Sequence, residues 1–87
     1  MKTNDAGMQS PSGMHFSDAL LAQALTFVRL LEHAEGGLIS APEVVLQIRF
    51  GFSPARSLAL ATQLEKLGCW SIYVDNDGQR KAQVLYR

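Results

Sequence analysis

Arg49, Arg56, Thr62, Gln63, Arg80 and Lys81 are of types that can read a nucleic acid and fall where they could act together. Arg56 can donate a pair of hydrogen bonds to a guanine edge, and Thr62 or Gln63 can read a second base. Arg49, Arg80 and Lys81 can hold phosphates. Residues for catalysis or metal binding form no such set. Glu32 and Glu35 flank His33, but no second histidine stands at a metal-ligand spacing. His15 stands alone next to the first helix and reads as a solvated residue. Gly36-Gly37 has no lysine downstream of the kind that completes a phosphate loop. Cys69 is the single cysteine, which rules out an internal disulfide and a cysteine-rich zinc site. It reads as a small strand residue, since no catalytic signature surrounds it. Asp75 and Asp77 alternate in a stretch that a tight turn explains, and calcium would lack further oxygens there. No enzyme, cofactor or metal is expected.

Eighty-seven residues leave room for one domain with a modest core. Formal net charge is zero, whereas nucleic-acid binders usually show a basic excess. The charge is unevenly placed: residues 16–35 carry net minus two and residues 51–87 net plus two. No stretch has the apolar length of a membrane span, and no apolar run precedes Phe16 as a signal peptide requires. A single cysteine fits a reducing cytoplasm.

The elements that must position the six residues are marked by their ends. Residues 1–15 are polar, rich in Gly, Ser and Asn, and read as a disordered tail. A first helix is predicted from Ser17 to His33, capped by Ser17 and stapled by Phe16 and Leu21. Leu20, Ala24, Phe27, Val28 and Leu31 form its apolar face. Leu21, Leu25 and Leu30 widen the stripe beyond what a small core needs, so a second copy packing there is an expectation equal to burial within the domain. Gly36-Gly37 breaks the helix, and Leu38-Ile39 is one short strand. Ser40 and Glu43 form a capping-box pattern, with Ile39 and Val44 as staple. It begins a second helix over residues 41–49, with Val44, Val45 and Ile48 inward.

Residues 51–70, GFSPARSLALATQLEKLGCW, organise the rest. Ser53 is the expected N-cap and Pro54 the first helical residue, where a missing N–H costs nothing. Leu60, Ala61, Leu64 and Leu67 recur at helical spacing, and Gly68 ends the helix. Two helices joined by a turn containing Gly51 make a helix-turn-helix. Trp70, Ile72 and Val74 then alternate as a strand, Asp75–Gly78 is a hairpin turn, and Gln79–Arg87 returns with Ala82, Val84 and Tyr86 on one face.

The order helix, strand, helix, helix, strand, strand is a winged helix-turn-helix layout. Gly51-Phe52-Ser53, Leu60-Ala61, Leu64 and Gly68-Cys69 resemble the spacing in bacterial winged-helix regulators, the GntR type among them. The third helix is also loosely similar to the DNA-reading gamma domain of septal DNA translocases. The likeness covers residues 16–87. It implies a backbone-phosphate contact for Ser53 at the start of the recognition helix. It also departs from those regulators where Pro54 and Ala55 replace polar or basic residues.

The expected class is therefore α+β: a winged helix-turn-helix with three helices and a C-terminal β-hairpin wing over residues 16–87. The expected function is binding of double-stranded DNA by a small bacterial or mobile-element regulator. It would act as a homodimer through Leu21, Leu25 and Leu30, using Arg49, Ser53, Arg56, Thr62, Gln63, Arg80 and Lys81. The alternative is a protein-interaction module, an inhibitor or assembly adaptor, using the apolar outer side of the third helix at Leu58 or the extra apolar face of the first helix.

Overall fold

The computed structural model describes residues 15–85. The expectations for the tail before His15 and for Tyr86 lie outside them. The architecture is α+β: three helices and a three-stranded antiparallel sheet, with the hairpin of the last two strands as the wing. Helix α1 spans Asp18–Glu35, strand β1 Leu38–Ser40, helix α2 Pro42–Phe50, helix α3 Pro54–Lys66, strand β2 Trp70–Val74 and strand β3 Arg80–Val84.

Helix α1 starts where its cap places it. The Ser17 hydroxyl accepts from the Leu20 amide at 3.1 Å. The helix runs two residues past the expected end, to Gly36 in the left-handed region. Ala24 and Val28, one turn apart, are fully buried, and Phe16 closes the core ahead of the cap. Leu20, Leu21, Leu25, Phe27 and Leu31 pack partly against that core. Leu21 and Leu25 are thus largely occupied within their own domain, and of the proposed dimer leucines Leu30 stands clear of it.

Helix α2 corrects the sequence reading at two points. The capping box does not form. Ser40 ends β1, where its hydroxyl accepts from the Lys81 ammonium, and Glu43 pairs with Arg80. The helix instead follows Ala41, which adopts φ 50°, ψ 62° with no side-chain cap. The change of register follows from β1: pairing of Ser40 with Lys81 in the sheet removes Ser40 from capping duty. The inward face also differs. Pro42 and Leu46 are buried and Val45 is half-buried, while Val44 and Ile48 are exposed, so the Ile39–Val44 staple is absent. Val44, Val45 and Ile48 would form an equally narrow stripe, so the helix is rotated about its axis and presents Pro42, Val45 and Leu46 to the core instead.

Helix α3 follows its sequence signals closely. Ser53 caps it by accepting from the Arg56 amide at 3.2 Å, and Pro54 is its first residue. Leu60, Ala61 and Leu64 are fully buried, whereas Leu67 is exposed. The Gly68 and Cys69 amides return to the Glu65 and Leu64 carbonyls, a Schellman ending with Gly68 at φ 81°. The buried Trp70 indole donates to the Ala61 carbonyl at 3.1 Å and so ties β2 to α3.

In the sheet, the order is β1-β3-β2. One row crosses it through Ile39, Ala82 and Ile72, and the next pairs Trp70 with Val84. Ile39, Ala82, Val84 and Trp70 are buried beneath the helices, as the alternation requires. Val74, expected on the same face, is exposed, because it lies where the hairpin leaves the core. The Asp75 carboxylate accepts from the amides of Asp77 and Gln79, both at 2.9 Å, and fixes the turn.

Candidate nucleic-acid interface

The ends of α1 and α3 are held together by aromatic rings. Phe16 and Phe52 lie 6.5 Å apart between centroids, so the capped starts of α1 and α3 are neighbours. Phe52 stacks on Phe50 at 5.6 Å, and Phe50 meets Phe27 edge-on at 6.0 Å. These rings line the turn of the helix-turn-helix and support two arginines. The Arg56 guanidinium lies 4.6 Å from the Phe52 centroid and 4.9 Å from Phe16. The Arg49 guanidinium lies 5.0 Å from Phe50 and 5.7 Å from Phe27. Among the described residues neither arginine has a carboxylate within ion-pair distance. Stacking restrains a guanidinium while leaving its edge N–H groups to donate.

Ser53 and Arg56 therefore meet at the first turn of α3. The Ser53 hydroxyl accepts from the Arg56 amide, and its own proton is still available to a phosphate. The free amides at the starts of α1 and α3 favour an anion, offset at α1 by Asp18. Gln63, two turns on, is half-buried beside His15, Phe16 and Leu21. The exposed Thr62 bends its hydroxyl back to the Leu58 carbonyl at 3.0 Å. Pro54, Ala55, Leu58 and Thr62 make the outward surface of α3, which is uncharged until Glu65 and Lys66.

The remaining expected contacts lie elsewhere. Arg49 lies against Phe27 in the cleft between α1 and α2, and the stacked Phe50 and Phe52 rings link it to the Arg56 site. Arg80 and Lys81 stand at the start of β3, opposite Val74 and Tyr73, and not at the hairpin tip. The tip is Asp75-Asn76-Asp77-Gly78 and is acidic. Arg80 is paired with Glu43 of α2. Lys81 donates to Ser40 at 3.1 Å and lies 3.8 Å from the Asp75 carboxylate. The wing cations are thus matched by acids of the same chain.

The aromatic ladder is the feature that sequence reasoning missed. Its signal was Phe50-Gly51-Phe52 flanked by Arg49 and Arg56, visible as spacing but not as stacking. Cys69 is half-buried, and burial pushes its thiol up to about 11, so it is a thiol and not a nucleophilic thiolate at neutral pH. No cluster of metal-ligating side chains occurs among the described residues, and no helix there is long and apolar enough to cross a membrane.

No family model, curated protein or solved structure matches the chain.

Proposed function

We propose that this chain is a winged-helix DNA-binding domain, a small transcriptional regulator that grips duplex DNA by its backbone at the start of α3. The observation that supports this is Arg56. Its guanidinium is held over two rings and free of acids among the described residues, while its backbone amide donates to the Ser53 hydroxyl at a helix N-terminus. Arg56 and Ser53 hold phosphates in this reading. Base discrimination falls to Gln63 and Thr62, with Ala55 and Leu58 against thymine methyls. Arg80 and Lys81 join by exchanging Glu43 and Asp75 for phosphate.

The test is binding of the purified chain to mixed-sequence duplex across a salt series. With one to three phosphate contacts, the logarithm of affinity should fall with a slope of about −1 to −3 against the logarithm of salt. Arg56→Ala combined with Arg80→Ala should flatten that slope to about −1 or shallower, what Lys81 alone can supply. Absence of binding at low salt, or binding unchanged in the double variant, overturns the reading.

One observation favours a second reading, a protein-interaction module. Leu58 is 47% exposed amid Pro54 and Ala55 on an uncharged helix face. Duplex binding that survives Leu58→Gln and fails with Arg56→Ala separates the two in favour of DNA.

A further inference from the structure

The two most exposed large apolar side chains among the described residues are Ile48, at 78%, and Leu30, at 62%. They stand on adjacent helices, α2 and α1, beside two shallow clefts that share a wall. Thr26, Phe27 and Leu30 line one cleft, and Phe27, Val45 and Ile48 the other. Arg49 borders both. It is exposed, held over Phe27 and Phe50, and has no acid within ion-pair distance among the described residues. Ser53 and Arg56 do not line this face.

We propose that the cleft between α1 and α2 docks an amphipathic helix of another protein, one that carries a carboxylate beside its apolar stripe. Charge complementarity selects this occupant. The apolar walls accept side chains spaced one helical turn apart, the interval between Phe27 and Leu30. Between the clefts stands one cation, already oriented and desolvated on one side by its rings, which a carboxylate satisfies with bidentate geometry. A second copy does not supply that group. Isologous pairing presents the same face to itself, and this face holds arginine and no acid among its lining residues, so neither guanidinium would gain a counter-charge from the partner's lining.

The experiment is selection against the full chain from a displayed library of helical peptides with a fixed apolar stripe and randomised polar positions. Asp or Glu should be enriched at positions flanking the stripe. Ile48→Lys should weaken the selected peptide by about tenfold or more, as loss of one buried anchor does. Arg49→Glu should reverse the preference, from acidic to basic peptides. Both positions are exposed, and circular dichroism and thermal melting should show both variants folded. Selected peptides without a sign preference, or binding indifferent to Ile48→Lys, overturn the proposal. So does a dimer of the wild-type chain in sedimentation that Ile48→Lys dissociates, because a second copy then covers the face.

Discussion

Among the described residues, Ser57 is the one buried polar side chain of the core, fully buried on α3 with no hydrogen-bond partner for its hydroxyl. An unsatisfied buried hydroxyl costs about 1–3 kcal/mol, and alanine is the better helix former. Ser57→Ala should therefore stabilise the domain by about 1 kcal/mol in urea unfolding. A loss of stability would mean that the hydroxyl has a partner, such as a buried water. Asp75 is the opposite case, a fully employed polar group. The Gln79 amide bond holds its carboxyl below the usual 3.8, helped by Asp77 and Lys81 and opposed by desolvation. A folded value below the unfolded one means the stabilisation is complete above the unfolded pKa and is lost as pH falls through the folded value. The stability advantage of wild type over Asp75→Asn should be present at pH 7 and shrink below about pH 4. Urea midpoints at pH 7 and pH 3 measure it, and a gap independent of pH would refute the assignment.

At the scale of elements, the start of α2 is where local preference yields to its surroundings. Ala41 adopts the left-handed region, which costs a residue with a Cβ about 1–2 kcal/mol. Its amide bond to the Arg80 carbonyl at 3.0 Å and the Ser40–Lys81 pairing hold it there. Ala41→Gly relieves the strain against some added unfolded-chain entropy, for a net gain of about 0.5 kcal/mol. Ala41→Val should instead destabilise by more than 1 kcal/mol, roughly the penalty of a β-branched residue at positive φ. Equal midpoints for the two variants in thermal or urea unfolding would show that the position is unstrained. The other helices show no such conflict. At α1 and α3 a serine cap precedes the first turn and a glycine follows the last, and the helices form at those marks.

Across the whole molecule, a net charge of zero hides an uneven use of cations. Arg80 and Lys81 are matched to Glu43 and Asp75, while Arg49 and Arg56 are supported by rings and matched to no acid among the described residues. These two arginines sit at opposite ends of the Phe50–Phe52 stack, one on α2 and one on α3, which is why one chain offers two candidate faces. Composition could not show this. The sequence lists equal numbers of acids and bases, and only their distances decide which cancel.

The sequence by itself determined the element order, the caps of α1 and α3, the hairpin turn and most of the core. Each depends on neighbours within about one turn or on a simple period, as at Ser53-Pro54, Gly68 and Asp75–Gly78. The tertiary structure alone decided the phase of α2, the fate of Ser40 and Glu43, and the surroundings of every proposed contact residue. Ser40 was equally suited to a cap or a strand until β3 arrived beside it. Arg56 was equally suited to solvent or a base edge until Phe16 and Phe52, far apart in the chain, closed beneath it. Partners far apart in the sequence leave no periodic trace, so a sequence can name such residues without saying what they will touch.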